Sequence, residues 1–323
     1  MAMIVETTNL TRVYGTNIAL DQLNLHIPEG AVYGFIGPNG AGKTTTMRIL
    51  TTLLQPSSGE AYVAGFSVTR EIAAVRRVVG FMPDFFGVYE NMKAWEYLDF
   101  FGRSYGVPAA RRSTLIGELL GLVDLSHKRD EMVMTLSRGM KQRLSLARAM
   151  IHDPRLLILD EPASGLDPRA RIELRELLKE LSALGKTIMI SSHILTELAE
   201  MCTHIAIIER GHLLAAGDVQ SILRSMQPHQ TLEVRILGDT TTAEQLLAEH
   251  PQVLSVRCET GDTEATPAAT DAAQFLLIEF TGDERAMGEL LQQLVANGVL
   301  VTRFGERSGD LEDIFMHVTQ GIV

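Results

Sequence analysis

A glycine-rich turn near the N-terminus combines residue types that can hold a phosphate group. The segment "GPNGAGKTT" fits the pattern G-x-x-x-x-G-K-[ST] and stands between an apolar run and a helical pattern. In such a turn glycines let backbone N–H groups approach phosphate oxygens, the lysine reaches the β- and γ-phosphates, and a hydroxyl binds Mg²⁺. The predicted phosphate loop consists of Gly37, Pro38, Asn39, Gly40, Ala41, Gly42, Lys43, Thr44 and Thr45.

A second motif decides between a phosphate site and an ordinary glycine-rich turn between a strand and a helix. The apolar run "LLILDE" ends in two acids, Asp160 and Glu161. Two acids at a strand end would alone indicate only a solvated turn. Beside a phosphate loop, Asp160 is predicted to bind Mg²⁺ together with Thr44, directly or through water, and Glu161 to act as the general base on the attacking water. The two motifs together favour nucleotide hydrolysis.

Three short apolar runs are predicted to position these groups. "AVYGFIG" (31–37), "RLLILDEP" (155–162) and "TIMISSH" (187–193) have the length and composition of buried parallel strands with polar residues at their carboxyl ends. Carboxyl ends of parallel strands meet at one edge of a sheet, where ligands bind. His193, which ends the third run, would by itself be only a polar strand terminus. Its place after the acidic strand makes it a candidate site residue.

The composition limits the classes of protein to which the chain can belong. It has 323 residues, of which 46% are hydrophobic and 21% charged, and a net charge of −11. This length predicts two domains, and the acidic balance with no basic stripe argues against nucleic-acid binding. Cys202 and Cys258 are predicted to be reduced thiols, and no Cys/His spacing indicates a structural metal. No apolar run approaches a membrane-spanning length, so the chain alone is expected to be soluble.

A change of rhythm after the helical region predicts a domain boundary near residue 225, giving domains of 1–225 and 226–323. The second part is expected to be a small ferredoxin-like α+β domain with the order βαββαβ. Its predicted elements are strands 231–237, 253–259, 274–280 and 299–304, helices 242–250 and 284–297, and a last helix from Asp310.

Residues 4 to about 225 resemble the ATP-binding subunits of ABC transporters, because further motifs follow in that family's order. "LSRGMKQRL" resembles the signature LSGGQ, "SGLD" the D-loop, and "SSH" the segment with the switch histidine. The resemblance implies an α/β P-loop NTPase core with a mostly parallel sheet, a helical subdomain at about 85–150, and hydrolysis of ATP with Mg²⁺. The C-terminal "GDLEDIFMHVT" resembles the tail of the exporter branch that serves drug, polysaccharide and lipid permeases.

The resemblance also implies roles for individual residues. Tyr14 would stack on adenine, although a strand-packing tyrosine is the alternative. Ser137 and Gly139, at a helix N-terminus that attracts anions, would complete the nucleotide site of a second ATPase subunit. Asp167 would lie in the D-loop at that dimer interface, and His193 would contact the γ-phosphate.

Three positions depart from the family pattern. Arg138 and Met140 stand where the signature usually has glycine and glutamine, and Arg138 would add a cation near the partner's nucleotide. Asp84 stands where the family has the Q-loop glutamine, so we count it among the catalytic candidates. A carboxylate is a harder Mg²⁺ ligand than an amide oxygen and repels the γ-phosphate.

The stretch 81–102, "FMPDFFGVYENMKAWEYLDFFG", holds eight of the chain's 18 aromatic residues. In the family this region receives the coupling helix of the membrane subunit, which favours a contact surface with an acidic rim for Phe85, Phe86, Tyr89 and Trp95. Buried core is the alternative for these rings. A membrane-inserting helix is disfavoured because the polar face is acidic. Helical spacing assigns Phe81 and at least two of Trp95, Leu98 and Phe101 to the core.

The expectation is an ATPase subunit that forms a dimer, most simply a homodimer, with a second ATPase subunit. It would energise a separate integral membrane permease for export, at the cytoplasmic face of the membrane. The alternative is a soluble ABC ATPase of DNA repair or translation, which would need long coiled coils, zinc cysteines or two cassettes that the sequence lacks. A nucleotide switch without hydrolysis is a third class, and Glu161 with His193 argues against it.

Overall fold

The computed structural model describes residues 2–85, 87, 89, 91–194, 198, 201–226, 230–238, 240–259 and 273–306. The chain divides into two compact units, Met1–Ile222 and Leu223–Val323. The boundary predicted near residue 225 lies close to this division. Among the described residues, no helix is both long and apolar enough to cross a membrane.

The described part of the first unit contains eleven strands and most of the described helices. The strands are β1 (Met3–Tyr14), β2 (Asn17–Leu23), β3 (His26–Pro28), β4 (Val32–Ile36), β5 (Ser58–Val63), β6 (Phe66–Ser67), β7 (Val79–Met82), β8 (Leu156–Leu159), β9 (Thr187–Ser192), β10 (His204–Glu209) and β11 (His212–Asp218). The helices up to residue 226 are α1 (Lys43–Leu50), α2 (Ile72–Val78), α3 (Ala94–Ser104), α4 (Ala109–Leu122), α5 (Arg138–Met150), α6 (Pro168–Ala183) and α7 (Val219–Met226).

A six-stranded sheet in the order β11-β10-β4-β9-β8-β7 positions the site. Its strands are parallel except β11, which pairs antiparallel with β10. Every residue of β4, β8 and β9 is buried, as a parallel sheet covered on both faces requires. These are the three strands that the apolar runs predict. The register pairs Ile36 with Ser192 and Leu159 with Ile190, so the three strands end at one edge.

A second, antiparallel sheet with the path β2-β1-β5-β6 packs beside the first, with β3 added to β1. One hydrophobic cluster joins the two sheets, because residues of β1, β5, β4, β8 and α1 all contribute to it. The phosphate loop and α1 therefore rest on a continuous core.

Helices α3, α4 and α5 form the predicted helical subdomain. The α3 N-terminus is closed by a capping box, in which Glu96 accepts a hydrogen bond from the Lys93 amide at 2.9 Å. Leu98 is fully buried, whereas Phe81, Trp95 and Phe101 are only half-buried. Phe81 packs against the core cluster, as predicted, but its ring is only partly buried and also lines a groove described below.

The second unit has a core of its own. Its strands are β12 (Gln230–Leu237), β13 (Val253–Glu259), β14 (Ala273–Phe280) and β15 (Leu300–Glu306), and its helices are α8 (Thr241–Ala248) and α9 (Glu284–Ala296). All neighbouring strands are antiparallel in the order β13-β14-β12-β15. Leu232, Ile278 and Leu290 belong to its buried cluster. The predicted helix from Asp310 and its "GDLEDIFMHVT" motif lie outside the described residues.

Both cysteines are free thiols. Burial raises the pKa of the Cys202 thiol to about 12, so this side chain stays protonated and behaves as a small apolar group.

Candidate active site

The phosphate loop is held against the sheet by two glycines that admit no side chain. A Cβ on Gly37 would lie 2.2 Å from the Ile208 carbonyl oxygen, and one on Gly42 would lie 2.7 Å from that of Ala19. Gly42 also has φ +109°, and Gly40 has φ +84° with open space around its missing Cβ. Glycine is needed here because the backbone itself must face the ligand.

The start of α1 supplies the amide donors of the loop. The first helical amide that bonds back into the turn is that of Thr46, which donates to the Gly42 carbonyl at 2.9 Å. The amides of residues 43 to 45 precede it, and such amides at a helix N-terminus bind anions. The backbone of this loop therefore fits the phosphates of a nucleotide.

Lys43 connects the phosphate loop to the acidic strand end. Its buried Nζ donates to the carbonyl oxygens of Gly37 at 2.6 Å and Pro38 at 3.3 Å. The same nitrogen lies 3.4 Å from Oε1 of Glu161. That carboxylate oxygen accepts no hydrogen bond from the described residues, so Lys43 and Glu161 form an ion pair without a hydrogen bond. The predicted phosphate cation and the predicted general base thus lie side by side.

Ser191, which sequence reasoning missed, holds both acids in place. Its hydroxyl donates to Oδ1 of Asp160 at 2.7 Å and accepts the Glu161 amide at 2.8 Å. The signal was present in the pattern, because Ser191 is the next residue of β9 after Ile190, whose partner Leu159 immediately precedes Asp160. A serine at that position of the neighbouring strand must meet the first acid.

Glu161 also contacts the predicted switch histidine. Nδ1 of His193 lies 3.0 Å from Oε2 of Glu161. The backbone of Glu161 has φ +49°, a conformation that costs free energy for a residue with a Cβ and is found at functional sites. The strand ends therefore bring Lys43, Glu161 and His193 into one chain of contacts.

Asp84 lies within electrostatic reach of the two acids. Partial burial, followed by the negative charges of Asp160 and Glu161, raises the pKa of the Asp84 carboxyl, and Arg138 partly offsets this increase. The guanidinium of Arg138 contacts its own chain, donating to the Ser164 carbonyl at 3.3 Å. Arg138 thus contacts the D-loop segment of its own chain, and a place near the partner's nucleotide stays a prediction.

The other predicted residues lie at helix or strand ends. Ser137 caps α5, where its hydroxyl accepts the Met140 amide at 3.3 Å, and Asp167 caps α6 by accepting the Ala170 amide at 2.8 Å. Gly139, in the first turn of α5, has only Leu166 near its missing Cβ, at 3.7 Å.

Tyr14 is 43% exposed at the end of β1. The Arg12 guanidinium carbon lies 4.5 Å from the ring centroid. In the part of the chain that the structure describes, Lys43 and Glu161 form no hydrogen bond or ion pair with Tyr14, Ser137, Gly139 or Asp167.

The donor set near the acids suits Mg²⁺. Mg²⁺ prefers oxygen ligands and is usually held by one or two carboxylates together with substrate phosphates. The Asp160 carboxylate is buried and fixed by Ser191, while Thr44 presents an exposed hydroxyl at the start of α1. Both groups are oxygen donors, so these residues fit the ion that the motifs imply.

Comparisons with known proteins identify this arrangement. A family described as "ABC transporter" matches residues 20–164. The chain is 33% identical over 321 residues to the Nod factor export ATP-binding protein I of Cupriavidus metallidurans, covering 99% of this chain and 98% of that protein. It is also 33% identical over 322 residues to the bacitracin transport ATP-binding protein BcrA of Bacillus licheniformis, covering 99% of both chains.

A solved structure shows the same fold around a nucleotide. It is a dimeric ATP-binding cassette in a post-hydrolysis state, bound to ADP and Pi, with a TM-score of 0.62 and 26% identity. The match covers 67% of this chain and 98% of that one. The phosphate loop, the paired acids and these relatives lead to one conclusion: the chain belongs to the ABC transporter family, as an ATP-binding subunit that hydrolyses ATP.

Proposed function

We propose that the protein hydrolyses Mg-ATP as one half of a dimer and drives a separate membrane permease as an exporter, at the cytoplasmic face of the membrane. The observation that carries the catalytic part is the chain of contacts from Lys43 through Glu161 to His193. A cation for the β- and γ-phosphates, a general base and a second group for the γ-phosphate meet at one sheet edge.

The contacts suggest how phosphate binding prepares the base. Lys43 pairs with Glu161 and donates to two loop carbonyls. Phosphate oxygens are stronger acceptors for an ammonium group than carbonyls are, so ATP draws Lys43 to the phosphates. Glu161 then no longer pairs with Lys43, and it accepts the proton of the attacking water while His193 and Ser191 hold its position. Thr44 and Asp160 would hold Mg²⁺, which would neutralise charge on the phosphates.

The second subunit is proposed to complete the site through the start of α5. The solved neighbour is a dimer with ADP and Pi, which supports a dimer of this chain. The Ser137 hydroxyl accepts the Met140 amide, the amides of Arg138 and Gly139 precede it in the first turn of α5, and amides at a helix N-terminus attract an anion. Ser137 and Gly139 of one subunit would thus contact the γ-phosphate held by the other, and Asp167 would lie beside them.

A groove of about 510 Å³ is proposed to receive the permease. It is lined by Arg48, Thr51, Leu53, Arg76, Val79, Phe81, Pro83, Phe101, Tyr105, Arg148 and Ala149. Two neighbouring rings are exposed, Phe85 by 85% and Tyr89 by 50%. Tyr89 also packs edge-on against Phe100, with ring centroids 5.4 Å apart. Exposed rings beside an apolar groove are typical of an interface. Phe86 lies outside the described residues.

Two acids of the predicted acidic rim have partners within the chain. Glu96 caps α3, and Asp99 is bound by Arg103 and Arg112, each at 2.7 Å. Both acids form contacts within their own chain, and an acidic rim that meets a partner stays a prediction. Because the groove is lined by three arginines and no acid, the permease segment that fits it is apolar with a carboxylate.

The direction of transport rests on the relatives. Those that match along the whole chain are named for Nod factor export and bacitracin transport. We assign this chain to export by analogy with them. Specificity for the exported molecule would lie in the permease.

The proposal is tested by purifying the protein alone and together with a candidate membrane permease. ATP hydrolysis by the protein alone, stimulation by the permease in vesicles, and loss of both in Glu161→Gln are expected. Hydrolysis that responds to DNA or ribosomes but not to the permease would assign the protein to the soluble class instead. Failure to bind ATP would contradict the assignment of the phosphate loop.

A further inference from the structure

A second cavity lies apart from the phosphate loop, between the helical subdomain and α6. Its volume is about 320 Å³, within the range of small-molecule sites. Residues of α4, α5 and α6 line it, together with Met82 and Leu159 at the ends of β7 and β8. It approaches the catalytic strand through Leu159 and Pro162, on either side of the acids.

The inner wall of the cavity is apolar. Its buried lining residues include Met82, Val123, Leu146, Leu159, Leu174 and Leu177. Ile172 is half-exposed at its edge. An apolar wall of this kind binds the hydrocarbon or aromatic body of a small molecule, because such a body leaves water when it enters.

One polar side chain in this wall has no partner. Gln142 is only 3% exposed and lines the cavity from α5. Among the described residues, neither Nε2 nor Oε1 of Gln142 has a hydrogen-bond partner. A buried amide without partners destabilises the folded protein, because it has lost its hydrogen bonds to water and gained none in exchange. A ligand group that both donates and accepts, such as a hydroxyl or a carboxamide, satisfies both atoms.

The charged residues of the lining are four acids and one base. Asp124, Glu173, Glu176 and Glu180 are exposed, and Arg143 binds both Asp124 and Glu173. Lys179 pairs with Glu176 from outside the cavity. The excess of carboxylates at the mouth repels an anion and favours a neutral or cationic ligand.

We propose that this cavity binds a small amphipathic molecule, neutral or cationic. Its apolar body would lie between α5 and α6, and a hydroxyl or carboxamide group would pair with Gln142. Gly139 in the signature turn and Leu166 in the D-loop both line the cavity. A bound molecule touches both, so it fixes the spacing of two segments that serve the dimer site and acts as a regulator of the ATPase.

The probe for this site is 1-naphthamide, with 1-naphthoate as its anionic counterpart of the same shape. Calorimetry on the full-length protein should give one saturable naphthamide site per chain and about tenfold weaker binding of naphthoate. Hydrogen exchange should slow in α5 and α6 when naphthamide binds. Absence of saturable naphthamide binding, or equal affinity for the two compounds, overturns the proposal.

Variants locate the binding. Gln142→Met keeps the volume and removes the amide, so it should weaken naphthamide about tenfold and leave 1-methylnaphthalene unaffected. Leu177→Trp fills the cavity and should abolish binding, whereas Leu184→Trp, exposed and outside the lining, should not. If Leu177→Trp does not fold, Ile172→Trp takes its place.

One competing site must be tested separately. An aromatic probe can also stack on an exposed ring such as Tyr14. Tyr14→Ala should retain full naphthamide binding. Loss of binding in Tyr14→Ala, or unchanged binding in a folded variant that fills the cavity, overturns the proposal.

Discussion

The Ser191 hydroxyl donates to Asp160 at 2.7 Å while it accepts the amide of the following acid at 2.8 Å. A single small side chain on β9 therefore fixes both acids at the end of β8. A hydroxyl can do this because it carries one donor and two acceptor lone pairs. The neighbouring strand thus sets the position of the proposed Mg²⁺ ligand and of the proposed base.

Ser191→Ala should lower ATP hydrolysis about tenfold to a hundredfold, since a hydrogen bond to a charged group contributes about 1.5–3 kcal/mol. Steady-state kinetics over a Mg²⁺ titration would show a raised Mg²⁺ requirement. Ser192→Ala is the matched control, because the Ser192 hydroxyl accepts from the Ile194 amide and not from the site. Equal losses in both variants would assign Ser191 a merely structural role.

Glu161→Gln should lower hydrolysis by about 10²–10⁴-fold, the usual contribution of a general base. The variant should bind ATP at least as tightly as the wild type, because Lys43 loses its carboxylate partner and is free for the phosphates. Equilibrium ATP binding and single-turnover hydrolysis measure the two effects. Lys43→Ala should instead lower the affinity for ATP. Glu60→Gln is the control, because Glu60 belongs to an exposed ion pair, and it should change neither ATP affinity nor hydrolysis. Wild-type turnover in Glu161→Gln would remove this residue from the base role.

Truncation after residue 222 should leave a folded protein that binds ATP. Every nucleotide motif lies upstream of this position, and the following residues form a separate core. ATP affinity and the melting curve of the truncated protein check this expectation. A folded truncate without ATP affinity would contradict the proposed division, whereas altered dimerisation or permease coupling is compatible with it.

Phe85→Ala should weaken association with the permease by about 2 kcal/mol, as for the strongest anchors of an interface, and leave thermal stability unchanged. The reason is that this ring is 85% exposed. Tyr97→Ala is the contrasting variant, because Tyr97 is fully buried and its loss should lower stability by about 3–5 kcal/mol. A permease pull-down beside a melting curve separates the two. A large drop in stability for Phe85→Ala would show that the ring is core.

The stability of the protein should fall as the pH drops below about 6.5, the usual pKa of histidine. Burial lowers the pKa of His152, whose Nε2 lies 3.0 Å from the Val79 carbonyl oxygen and whose ring stacks on Tyr105 at 3.9 Å. As the pH falls, the unfolded chain therefore binds a proton at His152 before the folded chain does. The stability that His152 contributes is fully present above the pKa of the unfolded chain, and it is lost as the pH falls through the pKa of the folded chain. In His152→Gln the loss should be smaller, as urea unfolding from pH 7 to 5 would show. Parallel curves for both proteins would exclude His152 as the cause.

The strands and the phosphate loop were predictable because local chemistry determines them. The run that became β8 is apolar throughout and ends in acids, and Gly40 and Gly42 have conformations that only glycine adopts readily. The Arg138 contact with the D-loop was not predictable, because it joins segments far apart in the sequence. The partners of the acids in the aromatic stretch were not predictable for the same reason: Asp99 binds Arg112 on the next helix.

The close approach of Gly37 to Ile208 determines when, during synthesis, the phosphate loop can form. Gly37 is fixed against Ile208, and β10, which carries Ile208, pairs with β4 directly before the phosphate loop. The loop is therefore translated early, but the strand that shapes it is translated only after about nine-tenths of the first unit. Contacts of such long sequence separation form late in folding. A nascent chain that ends before residue 204 lacks β10. Its phosphate loop therefore lacks this strand to pack against and cannot bind ATP in an ordered conformation, although every residue of the loop has already been translated.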